Sequence, residues 1–416
     1  MKPAIIGRRR DTEGAAALWR PANGAPLAVR VVRPQARPMT SLTNARQLFS
    51  TVTEDDRLVL SIEPLAVPEP GPDEVVVEMK AVPINPSDLG LLLAPADLTT
   101  ARAETFEGHP ALIADVRAEM KRFVASRVGK KLSAGNEGAG VVVAAGASDA
   151  AQALLGRAVT IVGGMMYRTH RVMKVRDAVP LPVGADPVEG ASLFVNPMTV
   201  QAFLETIQNK NHTTIVHTTT TSNLKQILTK LYTKKNMPLV TIVRKDEQRA
   251  LLEKLDVKHI VDSSKETFMG DLIEACAATG ATLAFDAIGG GGMANTILIA
   301  MEQALLKAGH EGGVYGTSVE KQVYLYGRLD FAPTQLTASY GMAWGVGGWL
   351  VSPRLRRAGL ERMIEMRRYA IEERNGIFAS QYTQTISLAG MVDPDVAKAY
   401  QRKATGEKYL VDPSRP

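Results

Sequence analysis

Short hydrophobic stretches separated by turn residues characterise the chain from about residue 57 to residue 195. Apolar or alternating runs such as LVLSIEPL, EVVVEMKAV, GAGVVVAAG and AVTIVGGM are divided by Pro, Gly and Asp, a pattern typical of a small β-barrel. Residues 111–128 are more polar and have helical spacing. We therefore predict a barrel-like β domain that is interrupted by a helix over 111–128.

From about residue 199 the pattern changes to an alternation of strands and helices. Four helices, the first over 222–235 and the last ending near 308, alternate with five predicted strands, at 213–218, 238–244, 259–264, 281–290 and 312–318. This alternation indicates a parallel, doubly wound sheet. The apolar stretch 340–351 is predicted to be a buried loop or helix, and the strand-like stretch 378–388 to return to the barrel.

The net charge of +6 is less informative about possible partners than the distribution of the charged residues along the chain. Residues 1–38 hold eight of the 49 Lys and Arg but only two of the 43 Asp and Glu, which leaves 41 of each in the rest of the chain. The body is therefore electroneutral, and a nucleic-acid partner is not expected. Rich in Arg, Ala and Pro, residues 1–38 are predicted to be a disordered basic extension.

Cysteine usage and hydropathy limit the compartment and the class of protein. The single cysteine, Cys276, excludes an intramolecular disulfide and fits a reducing compartment, so we expect a cytoplasmic protein. A mitochondrial location is the alternative if residues 1–38 are a transit peptide, although this segment contains no serine. No apolar run of about 18 residues exists, so no membrane partner is expected.

Three motifs in order along the chain carry a family resemblance. NPSD at 85–88, GNEGAG at 135–140 and the GAS…NPMT stretch at 190–199 resemble the N-P-x-D turn, the G-x-E-x-x-G-x-V signature and the hinge of the medium-chain dehydrogenase/reductase superfamily. ATGEK at 404–408 resembles a zinc-free subgroup of the quinone-oxidoreductase-like kind. The resemblance covers nearly all of 39–416 and implies an α/β fold with two domains, a GroES-like β-barrel and a Rossmann doubly wound parallel sheet.

The resemblance also implies domain limits and a metal-free site. It places the catalytic domain at 39–195, completed by about 375–416, and the nucleotide-binding domain at 196–374. Zinc-dependent relatives have a Cys near the N-P-x-D turn and a His after the first signature glycine, where this chain has Pro86 or its neighbours and Asn136. With one cysteine and six histidines that lack paired ligand spacing, no zinc is expected.

Without a Lewis acid, the accessible chemistry is hydride delivery to an electrophilic carbon of an enone, enal or quinone, whose carbonyl needs hydrogen-bond donors. Tyr167 and Asn85 are the candidate catalytic donors, with Asp88 or Ser87 in support. The competing interpretation of Tyr167 is a packing residue at a barrel edge with its hydroxyl in water.

The end of the second predicted cofactor strand indicates NADPH rather than NADH. Arg244 and Lys245 stand where NAD-binding proteins use an acid for the ribose 2′-hydroxyl, and two cations there suit a 2′-phosphate. The competing interpretation is a helix start with solvated charges. Thr199 in the hinge and Tyr315 in the fifth predicted strand belong to the same predicted cofactor set.

The phosphate loop departs from the family pattern. Small residues of the family are replaced at three aligned positions by Thr219, Ser222 and Lys225, and residues 191–269 contain no glycine at all. A lysine at the helix-packing position must turn outward or push the helix away. Ser222 can still cap the helix and leave N–H groups for phosphate, while Asn223 and Lys225 can contribute contacts.

Taken together, the sequence predicts an NADPH-dependent oxidoreductase that reduces an activated double bond or a quinone without metal. The alternative is a binding or structural protein of the same fold whose affinity for the cofactor is impaired. Relatives commonly dimerise through the cofactor domain, which implies a homodimer.

Overall fold

The computed structural model describes residues 44–210, 212–218, 223–402 and 407–416. The predicted extension at residues 1–38 and two predicted phosphate-loop residues, Thr219 and Ser222, lie outside these ranges.

Two antiparallel sheets form the first half of the described chain. One has the order β4-β5-β2-β1-β6, and the other has β10-β8-β7-β3, with β9 also paired to β3. Their apolar side chains meet in one core. The strands are β1 (Arg46–Val52), β2 (Arg57–Pro64), β3 (Glu74–Pro83), β4 (Ala96–Phe106), β5 (His109–Val116), β6 (Leu132–Ser133), β7 (Glu137–Ala145), β8 (Ala158–Val162), β9 (His170–Lys174) and β10 (Val179–Pro180).

The helix predicted over 111–128 is wrong in its first part, because residues 109–116 form β5. Leu112 and Ala114 face the main core, while Ala111 and Ile113 are buried on the opposite face of the strand. Burial on both faces hides the alternation that identifies a strand. The rest consists of short helical turns at 118–127 around α1 (Lys121–Val124); α2 (Asp149–Gln152) and α3 (Pro187–Gly190) are also short.

A six-stranded parallel sheet forms the second half, in the order β13-β12-β11-β14-β17-β18. Every pairing in it is parallel, and apolar cores lie on both of its faces. The elements of this half of the chain, in order, are α4 (Val195–Asn209), β11 (Ile215–Thr218), α5 (Asn223–Lys234), β12 (Leu239–Val243), α6 (Asp246–Glu253), β13 (His259–Asp262), α7 (Phe268–Thr279), β14 (Leu283–Asp286), α8 (Met293–Lys307), β15 (Gly312–Gly313), β16 (Gly316–Thr317), β17 (Lys321–Leu325) and β18 (Trp344–Gly348).

The first four predicted strands of this sheet are present, but the fifth was assigned to the wrong residues. Residues 312–317 form a small antiparallel hairpin, β15 and β16, and the fifth strand is β17. A sixth strand, β18, lies within the stretch that was predicted to be a buried loop or helix. Glycines at three of its five positions lower its strand propensity, whereas Trp344 and Val346 pack against the sheet core.

The chain then forms α9 (Val351–Ala358) and α10 (Leu360–Glu372) and returns to the second antiparallel sheet. The remaining elements are β19 (Gln384–Ile386), α11 (Leu388–Met391), α12 (Pro394–Gln401) and β20 (Tyr409–Val411). Strand β20 pairs antiparallel with β3, and β19 pairs parallel with β20. Among the described helices, none combines the length and the apolar character needed to cross a membrane.

Candidate active site and cofactor edge

The carboxyl edge of the parallel sheet contains the point at which the strand order reverses, between β11 and β14. In open α/β sheets ligands bind in the crevice at this point. Asp286 ends β14 there and accepts hydrogen bonds from the hydroxyl of Thr218, from N–H of Ile288 (2.9 Å) and from N–H of Gly289 (3.1 Å). These contacts hold the ends of the two strands together beside the crevice.

Lys225, in the first turn of α5, is only 1% exposed, and its ammonium has no hydrogen-bond partner within the described part of the chain. The predicted outward-turned lysine is therefore wrong, because the side chain lies inside the domain, and the alternative of a displaced helix stays a prediction. Burial lowers the pKa of Lys225 to about 7. The neighbouring His217 on β11 is also buried, and its Nδ1 lacks a partner while its ring nitrogen Nε2 lies 2.9 Å from the Tyr326 hydroxyl.

The other predicted cofactor residues occupy three different environments. Arg244 and Lys245 are exposed directly after β12 and form no salt bridge with any described residue. Asn223 donates from Nδ2 to the hydroxyl of Ser380 (2.9 Å), so it ties α5 to the C-terminal segment. Thr199 is buried in α4, where its hydroxyl donates to the carbonyl of Val195 (2.6 Å).

Tyr315 lies away from this group. It is 75% exposed in the hairpin between β15 and β16, before the start of β17. In a parallel sheet the residues that precede a strand lie at the amino edge, whereas the crevice is at the carboxyl edge. The structure therefore does not bring Tyr315 together with the other predicted cofactor residues.

Glu137 lies at the start of β7 and connects the barrel to the first helix of the cofactor domain. The carboxylate is fully buried and accepts N–H of Phe194 (2.8 Å) and of Val195 (2.9 Å), where α4 begins, as well as the side-chain amide of Asn85 (2.8 Å). Burial raises the pKa of Glu137, and the positive charge of Lys408 opposes that rise. This carboxylate therefore fixes the relation between the N-P-x-D turn and α4.

Asp88 supports the surface next to Glu137. Its two oxygens accept N–H of Asn85 and N–H of Asn136, each at 2.9 Å. Burial raises the pKa of Asp88 to about 7, with a contribution from the charge of Glu137. Asn85 is 1% exposed, so both predicted catalytic residues of this turn lie beneath the surface.

Above this layer the side chains of Ser87 and Asn136 remain accessible. Ser87 is exposed and Asn136 is half-buried, and the Asn136 amide donates to the Ser87 hydroxyl (3.1 Å). Asp88 accepts the backbone N–H of Asn136, which fixes the position of the backbone that carries the amide side chain. These two residues present the hydrogen-bond donors of this region at the protein surface, and the sequence motifs point to them without distinguishing them from the buried residues.

Tyr167 is part of the barrel core at 1% exposure, and its hydroxyl donates to the carbonyl of Pro83 (3.1 Å). Burial raises the pKa of this phenol well above its ordinary value, and the charge of Asp88 adds to the effect. The phenolic proton is therefore engaged inside the protein, and the hydroxyl is not in water as the competing interpretation had it.

A hydrogen-bonded group around Lys408, which sequence reasoning missed, joins the C-terminal segment to the stretch just before α4. The Lys408 ammonium is buried and donates to the hydroxyls of Ser192 (2.7 Å) and Ser380 (3.3 Å). The Ser192 hydroxyl also contacts the Tyr382 hydroxyl (2.7 Å). Burial lowers the pKa of Lys408 to about 8, and the negative charges of Glu137 and Asp88 oppose the fall.

No family model and no curated protein matches the sequence. The structure, however, is similar to a proposed NADPH:quinone reductase from Mesorhizobium loti, with a TM-score of 0.66, 21% identity and coverage of 89% of this chain and 99% of that one. It is also similar to an enoyl thioester reductase from Candida tropicalis, with a TM-score of 0.63, 18% identity and coverage of 88% and 99%. The complex of Etr1p with NADP and crotonyl-CoA matches equally well, with a TM-score of 0.63 at 18% identity and the same coverage.

These likenesses, at such low identities, establish the fold. The predicted α/β architecture, a β-barrel joined to a Rossmann-type parallel sheet, is confirmed. The chain thus has the fold of the quinone reductases and enoyl thioester reductases, as its resemblance to the quinone-oxidoreductase-like branch of the medium-chain dehydrogenase/reductase superfamily predicts.

Proposed function

We propose that the protein is an NADPH-dependent oxidoreductase that reduces an activated double bond or a quinone without a metal. The observation that carries the proposal is the ammonium of Lys225 at the start of α5, which is buried beside the crevice of the parallel sheet and has no hydrogen-bond partner among the described residues. A buried cation without a partner is costly unless a ligand supplies the opposite charge. A pyrophosphate at the helix start would supply it.

The end of β12 supports the preference for NADPH. Arg244 and Lys245 are exposed cations that have no acidic partner in the described ranges, and a ribose 2′-phosphate is the group that such a pair recognises. Asn223, and the predicted loop residues Thr219 and Ser222, belong to the proposed phosphate contacts. NADH lacks the 2′-phosphate and would forgo the contacts with Arg244 and Lys245.

The nicotinamide, when bound, supplies a hydride, and the chain must then orient and polarise the acceptor. The accessible hydroxyl of Ser87 and amide of Asn136 are the proposed donors to the carbonyl oxygen of the acceptor. Asp88 holds the Asn136 backbone, while Asn85 and Tyr167 lie below it in the protein. We assign these three as positioning residues, since their polar groups bond to the protein.

The test is a fluorescence titration of the purified full-length protein with NADPH and with NADH. Saturable NADPH binding that weakens at least tenfold in Arg244→Ala/Lys245→Ala, with NADH binding unchanged, is the expected result. Lys254→Ala is the matched control, because Lys254 is an exposed cation at the end of α6. No saturable change at high micromolar cofactor would refute the proposal and leave a non-catalytic binding or structural role.

Substrate class is tested by following NADPH oxidation with neutral quinones, enones and crotonyl-CoA, the last because Etr1p is bound to it in a similar structure. Turnover should fall by at least tenfold in Asn136→Ala while the affinity for NADPH stays the same, since Asn136 is proposed to contact only the acceptor. Equal turnover in both proteins would remove Asn136 from the site.

We also propose a homodimer that forms through the cofactor domain. The edge strand β18 and the exposed apolar side chains of Val314 (98% exposed) and Met342 (72% exposed) support this proposal. An unpaired edge beside apolar surface is a common site of association. Light scattering should give twice the mass of the chain and, for Met342→Glu, a shift towards monomer; a monomeric wild type would contradict it.

A further inference from the structure

A cleft of about 550 Å³ opens at the carboxyl ends of β17 and β18. Three arginines, Arg328, Arg354 and Arg357, line it together with Tyr326 and Trp349. No aspartate or glutamate is among its lining residues. The concave shape and the single sign of charge are the two properties of a site that concentrates anions.

None of the three guanidinium groups forms a salt bridge with a residue in the ranges that the structure describes. Two of them stack on aromatic rings instead: Arg354 lies 5.3 Å from the ring centroid of Tyr324, and Arg328 lies 5.3 Å from that of Phe123. Stacking holds a guanidinium by its face and leaves the N–H groups on its edge available. Arginine edges of this kind bind phosphate or carboxylate oxygens in pairs.

We propose that this cleft, lined by Arg328, Arg354 and Arg357, is a binding site for the phosphate or carboxylate group of an anionic small molecule. Trp349 is 5% exposed and adds an apolar ring to the lining of the cleft. The site would therefore take an anionic head next to a less polar body.

The cleft is distinct from the proposed 2′-phosphate site at the end of β12. In the strand order, β12 and β17 are separated by β11 and β14, which puts them about 14 Å apart at roughly 4.8 Å per strand. A cofactor held at β12 that crosses the crevice would bring its hydride-donating end towards β14 and β17, next to the anion cleft. Resting on the proposed function, we infer that the anionic group belongs to the acceptor substrate.

Calorimetric titration with inorganic pyrophosphate at low ionic strength tests the site without any assumption about activity. Binding should weaken about tenfold or more in Arg354→Gln and in Arg357→Gln, since each removes a charge-assisted contact. Arg356→Gln is the matched control, because Arg356 lies on the same helix α9, is exposed and does not line the cleft. Absence of binding in the wild type, or equal binding in all four proteins, would overturn the proposal.

Pyrophosphate has a second candidate site at the start of α5, so Lys225→Met is titrated in parallel. Loss of binding in Lys225→Met with retention in Arg354→Gln would assign the anion to the cofactor loop and refute the cleft. The reverse pattern supports the cleft, whether or not NADPH binds. Failure of the cleft and failure of the proposed function are therefore separate outcomes.

A pair of substrates then tests the assignment to the acceptor. An enone with a terminal carboxylate is compared with its methyl ester, each with NADPH. In Arg354→Gln the KM for the carboxylate should rise about tenfold, with kcat, the KM for the ester and the affinity for NADPH unchanged. An equal effect on both substrates, or none on either, would contradict the assignment to the substrate.

Discussion

Replacing Lys225 by methionine should stabilise the protein while weakening its affinity for the cofactor. The side chain is 1% exposed and its ammonium has no partner in the described structure. Burial lowers the pKa of Lys225 from 10.5 to about 7. At about 1.4 kcal/mol per pH unit, holding the charged form in the folded protein costs about 5 kcal/mol. Methionine keeps the length of the side chain and removes the charge.

The stabilisation depends on pH in a defined direction. Between pH 7 and 10.5 the unfolded chain binds the Lys225 proton and the folded protein does not, so the wild type gains stability as the pH rises. Lys225→Met lacks this gain. Its advantage in the free energy of unfolding should be about 4 kcal/mol at pH 7 and should shrink to about 1 kcal/mol at pH 10.

Urea unfolding at pH 6, 7, 8.5 and 10 measures the stability of Lys225→Met relative to the wild type, and NADPH titration at pH 7 measures its affinity for the cofactor. The loss of a charge-assisted contact with pyrophosphate should weaken NADPH binding about tenfold or more. Lys235→Met is the control, because Lys235 follows the same helix and is exposed. A destabilised variant, or a difference that does not change with pH, would refute the account of Lys225 as an uncompensated buried cation.

Three further predictions concern buried charges and are all measured by urea unfolding. Glu302→Gln removes the carboxylate that lies 2.7 Å from the ammonium of Lys321, whose side chain is 0% exposed, and should lower the free energy of unfolding by about 3–5 kcal/mol. Glu274→Gln, in an exposed pair, should change it by less than about 1 kcal/mol. Similar effects of the two substitutions would contradict this prediction. Between pH 3.8 and 7 folded Asp88 binds a proton that the unfolded chain releases, so wild-type stability should fall with rising pH relative to Asp88→Asn, and a constant difference would exclude the raised pKa. Between pH 8 and 10.5 the unfolded chain binds a proton at Lys408 that the folded protein has released, so wild-type stability should rise with pH relative to Lys408→Met, and a constant difference would exclude the lowered pKa.

The sequence predicted the fold where its local signals and its tertiary environment agree. Strands β11 and β12 are short apolar runs before amphipathic helices, and both lie where the pattern places them. The errors fall where the environment overrides local preference. Strand β18 has three glycines and is stabilised by pairing with β17, while β5 is buried on both faces and loses its alternation. Such long-range effects are not present in a local pattern.

The candidate site was predictable only in its motifs. Asn85 and Asp88 were found because the N-P-x-D turn is short and distinctive, but their burial beneath Asn136 depends on a contact between residues 48 apart. Lys408 lies in a stretch that resembles the family, yet its partner Ser192 is 216 residues away. A hydrogen bond over such a distance leaves no periodic signal, so neither the role of Lys408 nor that of Ser192 could be inferred.

The buried contacts explain how an unusual phosphate loop can coexist with an intact fold. Glu137 anchors the start of α4 from the barrel side, and Asn223 anchors the start of α5 through Ser380, which Lys408 also contacts. Both helices that flank β11 are thus held by residues outside the loop. Because these anchoring contacts lie outside the loop, they do not require the glycines that the family pattern has there. No described residue compensates the charge of Lys225, so the folded protein loses this proton near pH 7. Binding of an anion beside Lys225 should therefore be accompanied by uptake of a proton near pH 7.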